Sequence, residues 1–263
     1  MCKSNKNFQF LITNPLKMIA NSTILLLSTL SLLLGCLSGA PQDNWYLQRD
    51  RAFDFIGGMH KPMDIIHGRN GKSFLLEIDK DRVQFLDENQ KVFALKSAGD
   101  APRAGTFANG KLFVITENSD KVYVFDENGT SLYNFGSRGS GNGQFDVARG
   151  IASSLNGSDW EIFVSDEGND RVQVFDEFGV FKRKFWSVDG SPRGIAIDDN
   201  ESVYVADLAN RINVFDKNGT LLRTITGVTG QPWGLSIKQN LLAVGNSHGS
   251  VPKVRIYDLN GSF

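Results

Sequence analysis

Five short segments share one pattern, apolar at most positions and closed by Leu or an aromatic residue and then Asp. They are VQFLD (83–87), VYVFD (122–126), VQVFD (172–176), INVFD (212–216) and VRIYD (254–258). Their aspartates are 39, 50, 40 and 42 residues apart. A period of this length marks a repeat architecture. Four of the segments run into a turn that ends in glycine, at Gly129, Gly179, Gly219 and Gly261. Asn-Gly between apolar runs favours positive φ and predicts a hairpin. The first repeat has Asn89-Gln90 instead, so its turn must rely on Asn89 or be looser.

The segments before each Asp-terminated strand also repeat. A first strand opens at PMDII (62–66), PRAG (102–105), ARGIA (148–152), PRGIAI (192–197) and PWGLSI (232–237). A second follows as SFLLE, LFVIT, IFVSD, VYVAD and LAVGN, and a weaker fourth as LYNFG, FKRKF or LLRTI. The middle strands are apolar at nearly every position rather than alternating, so both faces must be covered. No helix-period segment is available to cover them. Sheets stacked face to face around an axis solve the problem, which predicts an all-β fold, a β-propeller. As written the chain supplies five four-stranded blades. Arg51–Gly57 resembles the fourth strand that the last repeat lacks and would close the ring. A fragment of a longer chain would instead have six blades.

Several of these motifs resemble NHL repeats. The resemblance is carried by GSRGSGNGQF (136–145), ARGIA (148–152) and FVSDEGNDRVQVFD (163–176), and again by residues 192–219. It covers about residues 52–263 and implies a β-propeller of NHL type. Ala148 stands where that family usually has Pro, and the GQF element occurs once. The likeness does not extend to the zinc domains of NHL ubiquitin ligases, because the cysteines are absent.

The N-terminus reads differently. Residues 1–35 hold no Asp or Glu and three lysines, Lys3, Lys6 and Lys17. The apolar run at 24–34 would span about 16 Å as a helix, short of a hydrocarbon core of about 30 Å. A basic region, a short apolar region and small residues are the layout of a secretory signal. The ending Leu33-Leu34-Gly35-Cys36 is similar to a bacterial lipobox, in which the cysteine is lipidated and becomes the mature terminus. This predicts a signal peptide (1–35), a lipidated tether (36–50) and the propeller (51–263), on a bacterial membrane facing periplasm or exterior.

Composition narrows the function. The full chain has a net charge of −1, and loss of the three leader lysines makes it −4. That balance and an exported address argue against a nucleic-acid partner. Two cysteines cannot build a disulfide framework or a four-thiolate zinc site.

The arrangement usual in the NHL family places the start of each first strand on one face, near the channel. Met63, Arg103, Arg149, Arg193 and Trp233 then form a column there. Guanidinium groups suit carboxylate or phosphate, and Trp233 suits a ring or sugar face. The same arginines can instead cap carbonyls or pair with acids of a neighbouring blade. A second column, Arg82, Lys121, Arg171, Arg211 and Lys253, faces Glu77, Thr116, Asp166, Asp207 and Asn246. A cation in every blade reads as architecture.

Three histidines are present. His60 and His248 belong to the upper face and His67 to the opposite one, so three cannot converge on one metal. No phosphate loop or nucleophile set stands out, and no cofactor is expected. The first functional expectation is a binding or scaffold lipoprotein offering its upper face to an envelope protein, peptide or acidic glycan. The loop 136–145 is a contact candidate on that face. The alternative is a metal-dependent propeller hydrolase or lyase, lactonase-like or amidating-lyase-like.

Overall fold

Each Asp-terminated strand ends in the turn its sequence calls for. Asp126 Oδ1 accepts the N–H groups of Asn128 and Thr130 at 2.9 and 2.7 Å, and Gly129 takes φ 83°. Asp176, Asp216 and Asp258 repeat this. The first repeat forms the same turn: Asp87 Oδ1 accepts from Asn89 and Lys91 at 3.0 and 2.8 Å. Gln90, not Asn89, takes the positive φ, 62°. A non-glycine residue there costs roughly 1–2 kcal/mol.

In the computed structural model, residues 61–186, 190–228, 230–246 and 253–262 are described. They form five antiparallel sheets. The first contains β1 (Pro62–His67), β2 (Ser73–Glu77), β3 (Arg82–Leu86) and β4 (Val92–Ser97). The second contains β5 (Pro102–Ala108), β6 (Lys111–Thr116), β7 (Lys121–Asp126) and β8 (Ser131–Phe135). The third contains β9 (Ala148–Asn156), β10 (Asp159–Asp166), β11 (Arg171–Asp176) and β12 (Phe181–Trp186). The fourth contains β13 (Pro192–Ile197), β14 (Val203–Asp207), β15 (Ile212–Phe215) and β16 (Leu221–Ile225). The fifth has three strands among the described residues: β17 (Pro232–Lys238), β18 (Leu241–Asn246) and β19 (Lys253–Asp258). Strands follow chain order within every sheet, and the sheets are the blades of a five-bladed propeller. The leader, Cys36, Arg51–Gly57, His60 and His248 lie outside the described residues.

The continuous apolar strands are explained by what covers them. On β6, Leu112 and Val114 pack against Phe74, Leu76 and Phe85 of the first blade. The intervening Phe113 and Ile115 pack against Ile162, Val164 and Phe175 of the third. Alternate side chains thus fill two different cores. Two further cores join blades three and four and blades four and five. Each fully buried Leu, Val or Phe contributes about 1.5–3 kcal/mol. The second strands β2 and β14 are buried from end to end, whereas β16 is exposed at four of its five positions.

A polar clasp joins consecutive blades. Just before the third strand of blades one to four stands Asp81, Asp120, Asp170 or Asn210, all at positive φ. Its side chain accepts the N–H of the residue before the next blade's first strand. The pairs are Asp81–Ala101 (2.8 Å), Asp120–Val147 (3.0 Å), Asp170–Ser191 (2.7 Å) and Asn210–Gln231 (2.7 Å). The second charged column is architectural. Arg82 pairs with Glu77, Arg171 with Asp166 at 2.8 Å and Arg211 with Asp207 at 3.3 Å.

Candidate functional site

The first strands of all five blades line the axis, and each carries a register shift just after its opening residue. A bulge leaves one residue unpaired and re-aims its side chain. The unpaired residues include Met63, Arg103, Arg149 and Trp233, and the shift in β13 spans Arg193. Local backbone geometry therefore presents this column at the channel mouth.

Four of the five column residues meet there. The guanidinium carbons of Arg103, Arg149 and Arg193 lie 5.4, 5.6 and 3.7 Å from the centre of the Trp233 ring. Two carboxylates that the sequence reading missed, Glu117 and Glu167, hold the arginines in line. Glu117 pairs with Arg103 of its own blade and with Arg149 of the next, the latter at 2.8 Å. Glu167 pairs with Arg149 and, at 3.1 Å, with Arg193. The result is an arc running Arg103, Glu117, Arg149, Glu167, Arg193 across blades two to four. Neighbouring-blade pairing and a gathered cationic mouth were alternatives in the sequence; the structure has both.

The arc stops because the repeat changes. Glu117 and Glu167 each follow directly on a second strand, and the fourth blade has Leu208 at that position and the first has Ile78. Three guanidinium groups therefore share two carboxylates. Arg193 Nη1 is buried and has no acceptor among the described residues. Burial, and then the Arg149 charge on Arg103, lower the pKa values of Arg103 and Arg193 from the usual arginine range. Burial acts first on Arg193 too, with Arg149 a smaller cause. Both effects mean that a further anion would be favoured here.

Below the mouth lies a cavity of about 460 Å³. Arg103, Arg149, Trp233 and Met63 line it; Arg193, stacked on Trp233, does not. Ile65, Ile151, Ile195 and Leu235 line it as well. One carboxylate stands among them. Asp64 Oδ1 accepts the Ile65 N–H at 2.9 Å and Oδ2 the Gly105 N–H at 3.0 Å. Burial raises its pKa to about 6 against those two hydrogen bonds. The equivalent residue is glycine in blades three, four and five and Ala104 in blade two. A Cβ on Gly150 would lie 2.4 Å from the Arg193 carbonyl oxygen, and one on Gly194 2.6 Å from that of Trp233.

His67 ends β1 at the other end from Met63, with Nδ1 3.2 Å from Ser73 Oγ. Burial and the Lys238 charge push its pKa down. Among the described residues no three His, Cys, Asp or Glu side chains gather where they could hold a metal. The loop 136–145 is tied down rather than free. Arg171, 1% exposed, donates to the carbonyls of Ser140, Gly141 and Gln144, each at 2.8 Å. Phe145 anchors its end in the core between blades two and three.

No protein-family model matches this chain. No curated protein matches it either. Among solved structures, it is similar to a protein of unknown function from Bacteroides caccae. The two align with a TM-score of 0.60 at 15% identity, over 77% of this chain and 79% of that one. At that identity the likeness bears on fold alone.

Proposed function

We propose that this chain is a binding propeller of NHL type, held on a bacterial membrane by a lipid on Cys36. Its upper face receives an anionic group carried by an envelope protein, peptide or acidic glycan. The observation that carries the reading is the charge count at the mouth: three guanidinium groups, two carboxylates and one indole ring. A planar fork with a spare donor matches a carboxylate or phosphate. Because the arc is built from three blades and braced by ion pairs, little ordering is needed on binding, which favours affinity. The lipobox-like Leu33–Cys36 supports the anchor.

The test is binding of purified full-length protein to acidic envelope glycans and to an envelope-protein extract. The wild type is compared with a triple variant, Arg103→Gln, Arg149→Gln and Arg193→Gln. Salt-sensitive binding that the variant loses supports the proposal. Binding to every envelope partner that survives the triple substitution overturns it. For the anchor, Cys36→Ser should move the protein from the membrane fraction to the soluble one.

A further inference from the structure

The channel has more chemistry than its mouth. Each first strand crosses the axis at a position where four blades have Gly or Ala, and only the first has a side chain with polar atoms, Asp64. Structural packing explains the small residues, because a Cβ collides with the next blade's backbone at Gly150 and Gly194. It does not require a carboxylate in blade one. Each Asp64 oxygen accepts one backbone N–H, and a carboxylate has about four acceptor sites. Among the described residues no cation pairs with it.

Cationic, acidic and apolar groups therefore share the wall of one cavity. Arg103 and Arg149 stand at the mouth, and Asp64 one strand residue deeper than Met63. Apolar walls of Ile65, Ile151, Ile195 and Leu235 also line the cavity. A cavity of about 460 Å³ is of the size that holds a small molecule or the end of a chain.

We infer that the channel takes a small carboxylate that also bears an N–H donor and an apolar side chain. That is the chemistry of a free apolar amino acid or of a peptide's C-terminal residue. The carboxylate meets Arg103 and Arg149, the N–H donates to Asp64, and the side chain enters the apolar wall. The inference rests on reading the mouth as an anion site and adds what lies beneath the anion. Asp64 is ionised above about pH 6 and so acts as acceptor near neutrality.

Titration calorimetry of the full chain in detergent at pH 7.5 tests it with four probes. These are L-phenylalanine, N-acetyl-L-phenylalanine, 3-phenylpropanoate and 2-phenylethylamine. One of the first two should bind about tenfold more tightly than 3-phenylpropanoate, the size expected of a hydrogen bond to a charged acceptor. L-phenylalanine in the lead identifies a free amino acid; the N-acetyl compound in the lead identifies a peptide end. 2-Phenylethylamine, lacking the carboxylate, should be weakest. In Asp64→Asn and in Asp64→Ala, which carries the residue of blade two, the tenfold gap should close, with 3-phenylpropanoate bound no more weakly than by the wild type.

Equal binding of all three carboxylates to the wild type overturns the role of Asp64 and leaves the mouth reading standing. Binding of an acidic glycan with no binding of any of the three does the same for the whole inference. If nothing anionic binds, both readings fall.

Discussion

Asp64 and Glu161 are carboxylates whose titrations pull stability in opposite directions. Burial holds Asp64 at about 6, above its ordinary 3.8, so the folded protein keeps that proton more tightly than the unfolded chain. The cost of ionising it is absent below about pH 4, grows to pH 6 and is complete above. Two units correspond to roughly 3 kcal/mol. Denaturant melts at pH 4, 5 and 7 should show the wild type losing stability relative to Asp64→Asn as pH rises through that window. An unchanged difference would mean that Asp64 titrates normally. Glu161 has the reverse sign. Hydrogen bonds from Arg183, opposed by burial and joined by Lys182, hold it at about 2. Its stabilisation is present above about 4.5 and is lost as pH falls toward 2. At pH 7, Glu161→Gln should destabilise by roughly 1–3 kcal/mol, with the deficit shrinking in acid.

Elements show which features one strand's pattern can carry. The Asp-x-Asn-Gly hairpins were legible because the residues that form the turn lie within five positions of one another. Nearly continuous apolar strands were legible because burial on two faces leaves few polar positions, such as Gln84, Gln173 and Asn213. The first-strand bulges were not, since a bulge is a mismatch between two strands and neither sequence alone records it. Glu117 was missed because its second partner, Arg149, is 32 residues away on another blade. The clasps had a readable sign, an Asp or Asn directly before a cation at or next to the start of a third strand, at Asp81-Arg82, Asp120-Lys121, Asp170-Arg171 and Asn210-Arg211. Of the second column, Arg171 carries the most local structure. Its planar fork serves Asp166 and three loop carbonyls, and a lysine cannot match that geometry. Arg171→Lys should cost about 2–4 kcal/mol, since buried donors and acceptors lose partners. Amide exchange at 139–144 should quicken selectively. Uniform quickening across the blade would instead mark global destabilisation.

For the whole molecule, the question is where the ring is weakest. Apolar cores join blades one to two, two to three, three to four and four to five. Among the described residues no such cluster joins blade five to blade one. That seam is bridged by the shared channel wall and the proximity of Lys238 to His67. The fifth sheet has three described strands, and the sequence expects Arg51–Gly57 to be its fourth. Closure and binding are then coupled, because the channel is lined by first strands from all five blades. A chain lacking 1–50 should give one sharp thermal transition. Further removal of 51–57 should broaden and lower it, because β19 would lose its outer neighbour. Any ligand that enters the channel binds only the closed ring and stabilises it by mass action, by about 2.7 kcal/mol at a hundredfold excess over Kd. Such a ligand should therefore recover part of the transition lost with 51–57. Identical melts for the two truncations would show that the ring closes without that strand, through blades one and five alone.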